Sequence, residues 1–205
     1  MIRSSQYLHA PQAPLPLCFA ATVVLLRDGQ KGGEDNLEVL ISKRAARSSF
    51  VPSMYVFPGG RVDAEDEAWA QHWQALFPAA WPARVRAQAL AAVRECFEEM
   101  GVQLVRTAAG DELGAQHLTQ VQRAAPLFAQ WAEQGWQPDI GNLLWVCDRL
   151  PDTTITPRYH TAFFYAIMPA GQVVQPDMHE QLDAVWLPVA DPVWKEQGQD
   201  QSQSE

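Results

Sequence analysis

Residues 94 to 102 read Arg-Glu-Cys-Phe-Glu-Glu-Met-Gly-Val, and residues 57 to 60, upstream, read Phe-Pro-Gly-Gly. On a helix, Glu95, Glu98 and Glu99 stand at i, i+3 and i+4 and project from one face, while Cys96 and Met100 turn toward a core. Val85, Ala89, Ala92, Cys96 and Met100 recur at three-to-four-residue spacing and extend the helix upstream. Gly101 ends it as a C-cap. Three carboxylates this close repel one another, and they sit at the helix end where the macrodipole disfavours anions. A sequence shaped only for stability would place lysines there. Most Glu-Glu pairs on helices are solvated faces. Here a hard divalent cation would remove the conflict, because Mg2+ takes carboxylate oxygens and keeps positions open for phosphate.

Working outward, Pro58 sets a rigid turn after the short extended segment Tyr55 to Phe57. The paired glycines let the backbone approach a ligand or metal and expose a carbonyl. A helix follows with Asp63 as N-cap and Asp66 three residues on. It carries Trp69, Trp73 and Leu76 on one stripe and is broken by Phe77 to Pro82. Apolar, β-branched runs predict strands near Cys18–Leu26, Leu37–Ser42, Leu143–Cys147, Ala162–Ile167 and Ala184–Trp186. Residues 27 to 36 read as a hairpin loop between the first two. A third helix is predicted over Leu118 to Glu133, with Pro126 as its weak point. Strands interrupted by helices without strict βαβ alternation predict an α/β (α+β) fold, a mixed β-sheet sandwiched between helices in an α/β/α arrangement.

The chain of 205 residues is 47% hydrophobic and 19% charged, which sets the expectation of one folded domain and excludes fibrous or disordered classes. Residues 1 to 16 read as an N-terminal arm, 17 to 195 as the domain, and 196 to 205 (EQGQDQSQSE) as a disordered tail. With 15 basic against 24 acidic residues, the net charge of −9 argues against a nucleic-acid polymer as partner. The apolar run Phe19 to Leu26 falls far short of the ~18 residues a membrane span needs. Met1 to His9 lacks the apolar stretch of a signal peptide, and three widely spaced cysteines suggest reduced thiols, so the expected location is cytoplasmic. Cys96 and Cys147 lie in apolar stretches and read as core.

The turn and the helix together, Pro-Gly-Gly followed by Arg-Glu-x2-Glu-Glu-x-Gly, resemble the box of the Nudix hydrolases. Gly60 matches its start, and Arg94, Glu95, Glu98, Glu99, Gly101 and Val102 match its end. Two departures stand out. Asp66 occupies the place where the family usually has Glu, and 27 residues (67 to 93) separate it from Arg94 where the family has seven, an insertion of 20. The insertion reads as an extra helix packed beside the metal helix. An interrupted box preceded by Phe50-Val51-Pro52-Ser53-Met54-Tyr55-Val56-Phe57-Pro58-Gly59-Gly60 is similar to one branch, the coenzyme A diphosphatase type (Nudix motif 19-like). The similarity resumes at residues 156 to 164 (TPRYHTAFF) and from Glu180 to Trp186-Leu187-Pro188. Ser49 and Ser53 stand where a related coenzyme A signature has Arg and Gly.

The resemblance implies that Glu95, Glu98 and Glu99, with a backbone carbonyl near Gly59, hold one or more Mg2+ or Mn2+ ions. The metal would neutralise a diphosphate and position a water. Arg94 would orient a glutamate by a charge-assisted bond. Glu180 stands where relatives carry a further acidic residue that binds metal or acts as base, a surface glutamate being the alternative. His160 and His179 are candidate acids or bases, but neither is required when a metal activates water. Asp66 reads as a helix cap. Lys43, Arg44, Arg47 and Arg158, with the Gly60 backbone, are best placed to meet substrate phosphates. The implied activity is metal-dependent hydrolysis of a pyrophosphate bond in a small nucleoside diphosphate derivative, coenzyme A or acyl-coenzyme A first. An ADP-ribose or NADH-type pyrophosphatase and a non-hydrolysing nucleotide sensor are the alternatives. Relatives also tend to carry further helix after the last strand, which implies here a more open pocket or one completed by a second copy in a homodimer.

Overall fold

The run expected as the first strand forms β1, Leu17–Asp28, the centre of a seven-stranded mixed sheet. The computed structural model describes residues 17–29, 36–45, 54–150 and 158–190. The expected arm and tail, Arg47, Ser49, Phe50 and Ser53 lie outside the described residues. β2, Leu37–Arg44, returns antiparallel to β1 from Asp28↔Leu37 to Leu26↔Val39, as the hairpin reading requires. Beyond that pair the two strands diverge, and the segment from β3 (Tyr55–Val56) to β4 (Gly59–Arg61) fills the fork. β3 pairs with Ser42 and Lys43 of β2, Pro58 accepts a hydrogen bond from Val23 N–H (2.9 Å), and β4 pairs with Ala20–Thr22 of β1.

On the other side of β1, β8 (Arg158–Ile167) runs parallel from Leu17↔Arg158 to Leu26↔Ile167, and β7 (Leu144–Arg149) lies outside it. β9, Gln181–Pro188, covers the outer side of β2, with Gln181 opposite Arg44. β5 (Val105–Thr107) and β6 (Trp136–Pro138) form a separate two-stranded sheet. β8 and β9 both begin earlier than composition suggests. Their leading residues are polar, and pairing with β1 and β2 overrides local preference.

The helix expected before Gly101 is α2, Ala83–Met100. Val85, Ala89, Ala92, Cys96 and Met100 are all fully buried, packed with Ala21, Val23 and Leu25 of β1. Buried Gln88 ties the helix to two strands by donating to the carbonyls of Ala20 and His160, both at 2.9 Å. Gly101 closes the helix at φ 72°, a left-handed conformation that costs glycine little.

α1, Ala64–His72, starts where Asp63 predicts, and Asp63 N–H donates to Asp66 Oδ2 at 2.8 Å. It ends at His72, and a 3-10 turn over Gln74–Leu76 continues the stripe. The insertion is therefore not a single added helix. It supplies the later part of α1, the 3-10 turn and the first turns of α2, so it lengthens the glutamate helix itself. Trp69 and Trp73 stack at 4.7 Å and pack on Phe128.

Of the predicted 118–133 helix only α4, Leu127–Glu133, forms, with Pro126 as its N-cap, and the short α3, Ala115–Leu118, ends where the predicted helix begins. Proline has no N–H for the helical ladder and disfavours helical backbone in the residue before it, so one helix cannot run through. Cys147 is exposed, not core, because a register shift between Trp145 and Cys147 on β7 breaks the alternation of faces. Among the described residues, no helix is long and apolar enough to cross a membrane.

Candidate active site

The three glutamates of α2 face the fork between β1 and β2, where the Pro-Gly-Gly turn lies. Arg94 is the hub beneath them. Its Nε and Nη2 donate to the two oxygens of Asp66 (3.1 and 3.0 Å), and Nη2 also reaches the Arg61 carbonyl at 2.9 Å. Its Nη1 donates to Glu95 Oε1 (2.9 Å) and Glu98 Oε2 (2.7 Å). Burial works against the Arg94 charge, but the surrounding Asp66, Glu95 and Glu98 hold its pKa above the ordinary value. Arg94 thus orients two glutamates, as the resemblance implies. Asp66 does more than cap α1. It is fully buried, forms a two-pronged ion pair with Arg94, and locks α1 to the glutamate helix.

Glu99 is held differently. Its Oε2 accepts from Gly59 N–H at 3.0 Å, and its Oε1 accepts from the Gln181 side-chain amide at 2.7 Å. Burial pushes the Glu99 carboxyl up to about 8, against the lowering effect of Gln181, Gly59 and nearby Arg44. Burial also pushes Glu95 up to about 7, opposed by Arg94 and reinforced by Glu98. Glu98 shifts upward as well, again mainly through burial.

The glycines are dictated by this crowding. A Cβ on Gly60 would lie 2.2 Å from Glu95 Oε1, and one on Gly59 would lie 2.3 Å from the Ala21 carbonyl. Neither position has room for a side chain.

One buried and two half-buried carboxylates, Glu99 with Glu95 and Glu98, form a cluster of hard oxygens beside one guanidinium, the donor chemistry that suits Mg2+ or Mn2+. In the present arrangement no three acidic, His or Cys groups among the described residues converge closely enough to enclose an ion. Arg94 holds only one oxygen of Glu95 and one of Glu98, and Glu99 keeps a second lone pair on each oxygen. The donor set fits a divalent cation.

The other expected residues divide. Arg44 ends β2 at the rim of this cluster, 3.9 Å from Glu180, and its buried Nε has no hydrogen-bond partner among the described residues. Glu180 is exposed, and its backbone N–H donates to Asp177 Oδ1 (3.0 Å); the residue that reaches Glu99 is its neighbour Gln181. Lys43 is exposed on β2 between Tyr55 and Asp183. Arg158 lies across β1 at the start of β8, its buried Nε also lacking a partner among the described residues. His160 is 3.3 Å from Asp148, which Arg84 holds at 2.6 Å, on the β7–β8 side of the sheet. His179 donates its N–H to Asp177 at 3.0 Å.

Gln181 and Ser42 escape a sequence reading. A neutral amide and a hydroxyl carry no charge pattern, and only the pairing of β2 with β9 brings them to Glu99.

A central mixed sheet, the fork with its Pro-Gly-Gly turn and the glutamate helix beneath it together define the Nudix hydrolase fold. The crystal structure of a NUDIX hydrolase from Alicyclobacillus acidocaldarius superposes with a TM-score of 0.74 at 26% identity, over 92% of this chain and 86% of that one. In sequence, the chain is similar to acyl-coenzyme A diphosphatase NUDT19 of Xenopus laevis, 25% identical over 206 residues and covering 77% of this chain. The corresponding protein of Gallus gallus is 42% identical over 67 residues, 29% of this chain and 17% of that one. The chain spans about half (54%) of the length of the Xenopus relative. No family model matches it.

Proposed function

We propose that the protein hydrolyses the pyrophosphate bond of a nucleoside diphosphate derivative with Mg2+ or Mn2+, and that coenzyme A or an acyl-coenzyme A is its substrate. The observation that carries the hydrolase reading is the carboxylate cluster on one face of α2, with Glu95 and Glu98 held by Arg94 and buried Glu99 held by Gly59 N–H and Gln181. Burial pushes Glu95 and Glu99 up to about 7 and about 8, so their ionised forms lack full charge compensation in the folded protein. A divalent cation would supply that compensation, neutralise the diphosphate and activate water. Arg94 fixes the rotamers of Glu95 and Glu98, Gly59 N–H fixes Glu99, and the absence of side chains at Gly59 and Gly60 lets the turn approach the glutamates.

The similarity to acyl-coenzyme A diphosphatases supports the substrate assignment, and so does Arg44. Its guanidinium stands at the rim of the carboxylate cluster, 3.9 Å from exposed Glu180, a charged fork of the kind that suits phosphate oxygens. Coenzyme A carries a 3′-phosphate on its ribose that ADP-ribose lacks, and Arg44 is the group assigned to read it. Three unpaired cysteines go with a reducing, cytoplasmic setting.

The test is product release from coenzyme A, 3′-dephospho-coenzyme A, ADP-ribose and NADH, each with Mg2+ and with chelator. Coenzyme A should be preferred over its dephospho form, and Arg44→Ala should remove about tenfold to a hundredfold of that preference, the scale of one charge-assisted contact of ~1.5–3 kcal/mol. Equal rates on both forms would overturn the coenzyme A reading and promote ADP-ribose-type substrates. Turnover of none, with nucleotide binding that survives the chelator, would indicate a sensor.

A further inference from the structure

Glu99 is the one glutamate of the cluster that Arg94 does not touch. Both of its oxygens are held by neutral donors, Gly59 N–H and the Gln181 amide. Gln181 is fully buried at the first position of β9. Its Nε2 lies 2.7 Å from Glu99 Oε1, and its Oε1 lies 2.9 Å from Ser42 Oγ. The amide turns its NH2 toward Glu99 and its carbonyl toward the Ser42 hydroxyl, the orientation that suits the ionised, purely accepting form of Glu99 that a bound cation favours. Ser42 is itself fully buried on β2, beside the bulge that sets Arg44 opposite Gln181.

The turn before β9 holds this arrangement in place. Asp177 Oδ1 accepts from the backbone N–H groups of His179, Glu180 and Gln181 at 3.0, 3.0 and 2.9 Å. Met178 sits at φ 60°, an uncommon conformation for a side chain of its kind, and its N–H returns to the Gln181 carbonyl at 3.0 Å. The same turn grips the end of α2, because Asp177 N–H donates to the Glu99 carbonyl at 2.9 Å. Glu99 is thus held by main chain and side chain from one five-residue turn.

A cation in the place of Gln181 would compete with a metal for the Glu99 charge. An apolar residue would leave the carboxylate to rotate. A neutral donor on one lone pair fixes the oxygen and leaves the other lone pair and the full charge available. We propose that Gln181, oriented by Ser42, is a positioning residue that aims Glu99 at the divalent cation and takes no part in bond making. This rests on the metal reading given above.

The experiment titrates Mn2+ into metal-stripped protein without substrate and follows the free-ion signal by electron paramagnetic resonance, with circular dichroism to confirm folding. Gln181→Leu should weaken Mn2+ about tenfold to a hundredfold, the range for residues that support a metal ligand. Ser42→Ala should weaken it in the same direction by less, and it tests the proposal without an alteration at Gln181 itself. In a Glu99→Gln background, Gln181→Leu should change Mn2+ affinity less than about threefold, since its route of action is already gone. Wild-type affinity in folded Gln181→Leu or in Ser42→Ala would overturn the proposal and leave the metal reading standing. An undiminished effect of Gln181→Leu in the Glu99→Gln background would also overturn it. Failure of the unaltered protein to bind Mn2+ would overturn the metal reading and this proposal with it.

Discussion

At Glu98 and Glu99 one charge serves two opposed demands. Each carboxylate is held partly or wholly away from water, and burial raises its pKa, so ionisation costs the folded state free energy that a bound cation would return. Glu98→Gln and Glu99→Gln keep size and helix propensity while removing the charge. Activity should fall by at least ~10²-fold in each, the scale of losing one strong electrostatic stabiliser. The metal-free thermal midpoint of Glu99→Gln at pH 8 should be unchanged or higher, because the carboxyl it replaces, at about 8, is already half neutral there. Steady-state rates and calorimetry on the two variants check this. A large loss of stability together with retained rate would assign the glutamates to structure alone.

Spacing made the three glutamates and the Gly101 cap legible in the chain, because a helix turns i, i+3 and i+4 into one face, while Arg94 and Gly60 were legible through the resemblance to the Nudix box. Asp66 was legible only as a cap. That it is the buried counter-charge of Arg94 depends on how α1 crosses α2, which local pattern does not encode. Gln181 and Ser42 were silent for the same reason, and Glu180 drew attention because it is acidic, although its neighbour makes the contact.

Between elements, the Asp66–Arg94 pair joins α1 to the glutamate helix. Arg94→Ala would leave a fully buried Asp66 without its counter-charge, a loss of ~3–5 kcal/mol when one partner of a buried pair is removed. Urea unfolding should show it, and a change under 1 kcal/mol would contradict the buried-pair account. The aromatic packing is graded. Trp131 is fully buried and donates to Gln103 Oε1 at 3.0 Å, so Trp131→Ala should cost ~3–5 kcal/mol. Trp73 is only half-buried at the end of α1, and Trp73→Ala should cost clearly less. Equal costs would mean that the outer part of the insertion is as tightly packed as the centre. The stripe Trp69, Trp73 and Leu76 runs on past His72 into a 3-10 turn, so an apolar pattern alone does not show where α1 ends within the insertion. The long third helix failed at Pro126, where backbone chemistry outweighed the apolar pattern.

For the whole molecule, the carboxylate cluster sets a pH dependence opposite to ordinary acid denaturation. Glu95 and Glu99 stand at about 7 and about 8 in the folded protein, above their unfolded value near 4.5. The folded state then binds more protons than the unfolded chain between about pH 5 and 8, so this contribution to stability is present at pH 5 and lost as pH rises through 7 and 8. Metal-free protein should therefore melt several degrees lower at pH 8 than at pH 5, since ~1 kcal/mol moves the midpoint of a chain this size by about 2–4 °C. Saturating Mg2+ should raise the midpoint most at pH 8. A metal-free midpoint that climbs steadily from pH 5 to 8 would contradict the assignment of buried, uncompensated carboxylates.

The most direct measurement follows the products of coenzyme A incubated with the purified protein, with Mg2+ and with a chelator, alongside Glu98→Gln. Cleavage of the pyrophosphate should release adenosine 3′,5′-bisphosphate and 4′-phosphopantetheine in the Mg2+ sample, with at least ~10²-fold less in the chelated and Glu98→Gln samples. Product formation that persists in the chelator, or that Glu98→Gln leaves at the wild-type rate, would contradict a carboxylate-held cation as the centre of the site.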